Sequence, residues 1–241
     1  ADLNNDGIPE IVCAVYSPPG AIALHGNDGS VYWKRSDFNG SSNQACPIIF
    51  DLEDDGYPTI FFATRHQWGG DAELVSLSYD GEINCRVPIS MTCQGGISLM
   101  DYDNDGHFEI YVGNRHTELP GEPVSTDSYW AENLTLRWRV FYPYPGYTYT
   151  ASATLITLVD VTGDGIKDIV TEINDEPDGY TVGLAVLSAG DGSIIRNATN
   201  IISGHPWTYS AAVYDIDLDG NPEWIWNSAR FIVWDLVDWQ M

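Results

Sequence analysis

Residues 101–110 read DYDNDGHFEI, from Asp101 to Ile110. Three aspartates alternate, a glycine follows the third, and a glutamate stands four residues beyond it. Carboxylates held this close repel one another unless a cation lies between them. Asp101, Asp103 and Asp105 occupy positions 1, 3 and 5 of a tight loop, and Gly106 tolerates the positive φ that a sharp reversal needs. The carbonyl of His107 then faces inward from position 7, and Glu109 closes the ring from position 9. An all-oxygen shell with one backbone carbonyl suits a hard cation, and its size favours Ca²⁺ over Mg²⁺. An EF-hand would place its last glutamate at position 12 and flank the loop with helices. Here the acid comes at position 9 and a strand-like EIYVGN follows.

The loop occurs five times, starting at Asp2, Asp51, Asp101, Asp160 and Asp215. The other ligand sets are Asp2, Asn4, Asp6, Ile8 (carbonyl) and Glu10; Asp51, Glu53, Asp55 and Tyr57 (carbonyl); Asp160, Thr162, Asp164, Ile166 (carbonyl) and Asp168; and Asp215, Asp217, Asp219, Asn221 (carbonyl) and Glu223. The third and fifth carry acids at positions 1, 3, 5 and 9 and are the strongest binders expected. The second is the weakest, because Glu53 lengthens position 3 and Thr59 replaces the closing acid. Four or five Ca²⁺ ions are therefore expected, in a structural role. Each loop supplies nearly a whole coordination shell, which leaves little room for catalysis by the ion.

A recurring unit of about 50 residues marks a repeat architecture. Short runs rich in β-branched and aromatic residues flank each loop, as in ISLMDY before and EIYVGN after. Two further runs follow, joined by a DG-type turn, as in LVSLSYDGEINCRV. No segment has helical periodicity. The expectation is an all-β chain, a single domain over residues 1–241 in which each unit is a four-stranded antiparallel β-propeller blade. Five blades are visible. The chain begins inside a loop and stops about three strands into the fifth unit. The expectation is part of a larger ring of about seven blades or, alternatively, a five-bladed ring closed by pairing the terminal strands.

The five loops and their flanks resemble the FG-GAP/VCBS calcium-loop repeat of integrin α-subunit propellers and microbial surface proteins. That resemblance implies an extracellular, calcium-stabilised propeller used as a cell-surface binding, adhesion or assembly scaffold. It also implies a protein or glycan partner on the face opposite the loops. There the second strands end at Arg65-His66 and Arg115-His116, with Trp68 nearby. The functional reading is a cationic site for a carboxylate or glycan, and the plainer one is local pairing with surplus acids. Trp68, and Tyr129 and Trp130 after the long insertion from Asn114, are either exposed aromatics that stack on a sugar or anchor a partner, or residues that pack the loop. A carbohydrate-binding lectin and a rhamnogalacturonan-type polysaccharide lyase, an enzyme class that also uses calcium-loop propellers, are the alternatives. No GxSxG or HExxH motif is present, and no catalytic set is assignable.

The net charge of −25, with only 10 Lys and Arg, disfavours nucleic acid and anionic membranes as partners. Seventeen ligand-position carboxylates account for much of it. A loop needing calcium to cancel repulsion belongs where calcium is millimolar, outside the cytosol. The four cysteines form no CxxC pair. A Cys85–Cys93 disulfide is expected, with Cys13 either a buried thiol or paired with Cys46. Asn39, Asn133 and Asn197 head N-x-S/T sequons.

Overall fold

The computed structural model describes residues 1–15, 18–39, 46–64, 72–89, 97–114, 125–142, 153–174, 181–203, 211–227 and 231–241. They form eighteen strands and, among the described residues, no helix. The strands are β1 (Ile11–Val15), β2 (Gly20–Leu24), β3 (Val31–Arg35), β4 (Ile48–Phe50), β5 (Thr59–Ala63), β6 (Ala72–Leu77), β7 (Ile83–Ile89), β8 (Ile97–Met100) and β9 (Glu109–Gly113). They continue with β10 (Ser125–Trp130), β11 (Leu136–Phe141), β12 (Ala153–Val159), β13 (Asp168–Asn174), β14 (Thr181–Ser188), β15 (Ile194–Ser203), β16 (Ala211–Tyr214), β17 (Glu223–Asn227) and β18 (Phe231–Asp235).

These strands make five antiparallel meanders, one per repeat. β1–β3 and β16–β18 are three-stranded, whereas β4–β7, β8–β11 and β12–β15 are four-stranded. Among the described residues β1 and β18 lie in separate sheets and the terminal strands do not pair, unlike the alternative of a five-bladed ring closed by them.

The sheets stack in sequence order. Strand residues alternate between faces, and in a middle sheet both faces are covered. Ile60 and Phe62 of β5 pack on the first sheet with Ala21 and Ala23. Phe61 and Ala63 of the same strand pack on Ile110 and Val112 of the third. Tyr111 joins Ile169 and Leu187 of the fourth sheet, and Val170 and Val186 join Trp224 and Trp226 of the fifth. This double coverage explains why TIFFA and EIYVG read as continuous apolar runs rather than as alternating ones. The second residue of each loop drops into the interface with the next sheet: Leu3, Leu52, Tyr102 and Val161 in turn. The first strands of successive sheets also approach one another, with Ser98 Oγ of β8 donating to the Ile156 carbonyl of β12 at 2.9 Å.

A second device joins the sheets at their far edge. The hairpin before the last strand of each of the first four sheets carries an Asp or Asn whose side chain accepts the N–H two residues on: Asp28, Asp80, Asn133 and Asp191. The next residue has positive φ, at Gly29, Gly81, Leu134 and Gly192. A register shift follows at the same point in all four hairpins. Five residues past the turn Asp or Asn stand Trp33, Cys85, Trp138 and Arg196, and each reaches the corresponding turn of the next sheet. Trp33 Nε1 donates to the Tyr79 carbonyl at 2.9 Å, and Trp138 Nε1 to that of Ala189 at 3.2 Å. Cys85 Sγ sits 3.1 Å from the Asn133 carbonyl, and Arg196 donates to the carbonyls of Leu236 and Val237. A Cβ on Gly81 would lie 2.6 Å from the Trp33 ring, and one on Gly192 would lie 2.7 Å from that of Trp138. Opposite the small Cys85, the turn residue is instead the buried Leu134.

Two expectations are corrected here, and one left open is decided. Cys85 is a free thiol, turned toward the third sheet's hairpin rather than into a disulfide; Cys93 lies outside the described residues. Cys13 is exposed and free, as is Cys46, because Cys13 faces away from the second sheet. Tyr129 is buried, its hydroxyl donating to Asp127 at 3.0 Å, because β10 is covered on both faces.

Candidate metal sites

All five acidic loops adopt one backbone path. The position-1 aspartate accepts the N–H of the position-6 glycine: Asp2 from Gly7 at 2.8 Å, Asp51 from Gly56 at 2.7 Å, Asp101 from Gly106 at 2.9 Å, Asp160 from Gly165 at 2.8 Å and Asp215 from Gly220 at 2.9 Å. The position-5 aspartate accepts the N–H of position 7 at 2.8 Å in every loop. These bonds satisfy the N–H groups on the inside of the turn, and they orient the carboxylates without a helix.

Glycine at position 6 has φ between 86° and 97° in all five. Position 4 is also left-handed, at Asn5, Asp54, Asn104, Gly163 and Leu218. The sequence reading passed over this second requirement. Its signal is the run of Asn, Asp and Gly at that position, since these residues enter the left-handed region at least cost. Leu218 is the exception and is 80% exposed.

The position-9 acids are buried: Glu10, Glu109, Asp168 and Glu223. Each anchors the loop by accepting the N–H of position 2, from Leu3 at 2.8 Å, Tyr102 at 3.4 Å, Val161 at 3.0 Å and Ile216 at 2.8 Å. Burial pushes the pKa of Glu109 up to about 7 and raises those of Asp168 and Glu223. Glu109 Oε1 has no hydrogen-bond partner; its nearest cation is Arg137, 3.8 Å away. That guanidinium lies over the Tyr102 and Trp130 rings and donates to Ser128 Oγ and the Ala189 carbonyl. His107, at position 7, directs its ring to Glu132 at 3.2 Å, which raises its pKa.

In two loops the carboxylates converge enough to hold a metal ion. Oxygens of Asp101, Asp103 and Asp105 lie within 4.8 Å of one another, as do those of Asp215, Asp217 and Glu223. These are the two loops with four acids in the sequence. The donor set, all carboxylate oxygen, fits a hard divalent cation, and the unbonded oxygen of the buried Glu109 belongs to the third loop.

Other site residues divide by position. Arg65, His66, Trp68, Arg115 and His116 lie outside the described residues. Asn39 donates Nδ2 to the buried Glu73 at 3.0 Å, which occupies the nitrogen that a glycan would need. Asn133 and Asn197 are exposed. At the end of the third sheet away from its loop, the sequence reading missed a buried network. Asp127 accepts Arg139 Nε at 2.8 Å, the Tyr129 hydroxyl and the hydroxyl of Ser125, which in turn accepts Asn114 Nδ2.

No family model and no curated protein matches the chain. Among solved structures, it is similar to the exotype rhamnogalacturonan lyase YesX, with a TM-score of 0.59 and 14% identity over 92% of this chain and 48% of that one. The Bacillus licheniformis rhamnogalacturonan lyase PL11 matches at 0.59 and 13% over 92% and 49%. Rhamnogalacturonan lyase YesW matches at 0.58 and 13%, again over 92% and 49%. The chain thus spans about half the length of these structures, and the likeness is one of fold. Among the described residues no helix is long and apolar enough to cross a membrane.

Proposed function

We propose that the chain is an arc of an FG-GAP/VCBS-type β-propeller whose acidic loops bind structural Ca²⁺, and that it serves outside the cell as a binding or assembly scaffold. The observation that carries the reading is the common geometry of five loops, with carboxylates gathered at the third and fifth. The propeller arrangement is supported by in-order stacking and by the meeting of first strands, β4 with β8 and β8 with β12. Calcium cancels the repulsion among exposed aspartates and keeps the buried closing acids ionised. Placement outside the cytosol follows from the weak affinity typical of such all-oxygen surface sites. Metal counting by atomic emission, with thermal unfolding in Ca²⁺ and in excess chelator, tests it. Four or five ions per chain and a large chelator-induced drop in Tm are expected, and no bound metal with no shift refutes the calcium reading.

A polysaccharide lyase is the second reading, favoured by the three rhamnogalacturonan lyase structures that match over 92% of the chain. It predicts a rise in ultraviolet absorbance when the chain is incubated with rhamnogalacturonan. The scaffold reading predicts none, and retention instead on a protein or glycan matrix.

A further inference from the structure

The fold treats the acceptor nitrogens of the three N-x-S/T sequons differently. Asn39 Nδ2 donates to the buried Glu73 at 3.0 Å, and the same carboxylate accepts the Asn39 backbone N–H at 2.8 Å. Asn197 and Ala198 lie in the ladder of β15 with β14, opposite Ala185 and Leu184. An enzyme that bends the acceptor segment into its own site must first strip them from that ladder and leave backbone groups unpaired. Asn133 is presented on a hairpin turn instead. Asn133 and Thr135 are exposed, and Leu134 between them is buried in the core, which fixes the turn. Asn133 Oδ1 accepts the Thr135 N–H at 2.8 Å, and the Asn133 carbonyl faces Cys85 Sγ at 3.1 Å. Both contacts use oxygen. Among the described residues, neither Asn133 Nδ2 nor the Thr135 hydroxyl has a hydrogen-bond partner.

The repeat itself supplies the comparison. The corresponding residues of the other three hairpins are Asp28, Asp80 and Asp191, each accepting the N–H two residues on. An aspartate therefore suffices for the turn, and the amide nitrogen of Asn133 has no task in the fold. We propose that Asn133 is an N-glycosylation acceptor of the folded chain, and that Asn39 and Asn197 are not. In the transfer, Nδ2 attacks the anomeric carbon of a lipid-linked oligosaccharide pyrophosphate. The C–N bond forms as the C–O bond breaks, the lipid pyrophosphate leaves, and a base of the transferase takes the amide proton. The exposed Thr135 hydroxyl completes the recognition motif. That the chain meets such a donor rests on its placement outside the cytosol; the geometry of the acceptor does not.

The test is transfer to the whole folded chain by a purified oligosaccharyltransferase of N-x-S/T specificity, supplied with lipid-linked oligosaccharide and read by intact mass and peptide mapping. Peptides spanning each sequon are the positive controls, since all three are open when unfolded. The folded chain should gain the mass of one oligosaccharide, at Asn133. Asn133→Asp should keep the Tm, because aspartate makes the same turn in the other hairpins, and should gain none. Asn197→Gln should still gain one. A folded chain that takes no glycan while the peptides do, or that takes one at Asn39 or Asn197, overturns the proposal. Because enzyme and donor are supplied, such a result counts against the acceptor geometry and not against placement outside the cytosol.

Discussion

Exchanging the lock between the second and third sheets for the form used on either side of it separates packing from turn chemistry. Between the first and second sheets a tryptophan covers a glycine, Trp33 on Gly81, and between the third and fourth Trp138 covers Gly192. Between the second and third, Cys85 faces Leu134, 1% exposed at φ 56°. Leu134→Gly removes a buried side chain, which costs about 2–5 kcal/mol, and relieves about 1 kcal/mol of left-handed strain. The net loss should be about 2 kcal/mol. Cys85→Trp drives a ring to where Leu134 stands. The 2.6–2.7 Å approaches a Cβ would make at Gly81 and Gly192 show the overlap, and overpacking of this kind costs about 1–3 kcal/mol. Together the two changes recreate the neighbouring lock, with the indole N–H taking over the bond that Cys85 makes to the Asn133 carbonyl. The double variant should therefore fall short of the summed losses by about 2 kcal/mol, a coupling within the range of contacting residues. Denaturant midpoints at unchanged m-value measure it. Losses that add to within about 0.5 kcal/mol would refute the reasoning.

Leu218→Gly should raise stability by about 1 kcal/mol, since it removes left-handed strain from a residue that buries little; a lowered Tm would contradict the loop path. Asp127→Asn should cost about 3 kcal/mol, because Arg139 loses its buried counter-charge. Asp37→Asn, at the more exposed pair with Arg35, should cost under about 1 kcal/mol by the same denaturation assay. In excess chelator the burial of Glu109 works against folding at high pH. Its pKa is about 7 when folded and near 4.5 when unfolded, so the penalty is absent below pH 4.5 and grows to its full size above pH 7. Glu109→Gln should flatten that decline in Tm between those values, and an unchanged pH profile would show that burial does not govern the group.

The meander was legible because each unit repeats three signals of short range: a glycine after an aspartate, a closing acid, and a β-branched run. Hairpins are local, so the DG turns placed β2 against β3 and β14 against β15 correctly. Cys85 was misjudged because its partner is set by the next sheet, 48 residues away at Asn133, and no local spacing encodes that contact. Tyr129 stayed open between exposure and packing for the same reason, since its burial depends on what covers β10 from the second sheet. In the loops, position 6 was readable as an invariant glycine. Position 4 was not, because Asn, Asp, Gly and Leu share a conformation there rather than a chemistry. Arg137 carries no motif at all; only the folded chain brings it between Tyr102, Trp130 and Glu109.

The loops and the stacking are one mechanical unit. A loop's second residue packs into the interface with the next sheet, and its N–H is held by the closing acid of the same loop. Whatever fixes the carboxylates therefore fixes Leu3, Tyr102 or Val161 against the following sheet. In the third loop the chain of contact is longer. Glu109 faces Arg137, and Arg137 donates to Ala189 and Gly190 in the hairpin of the fourth sheet. Charge at the closing position is thus felt at both edges of that interface, under the loop and at the outer lock. A cation that keeps Glu109 ionised strengthens its attraction to Arg137, and a protonated Glu109 loses it. A cation bound at this exposed turn would in this way reach a buried interface through two residues. The acids sit where they stabilise the stacking of sheets, rather than only the hairpin ends that carry them.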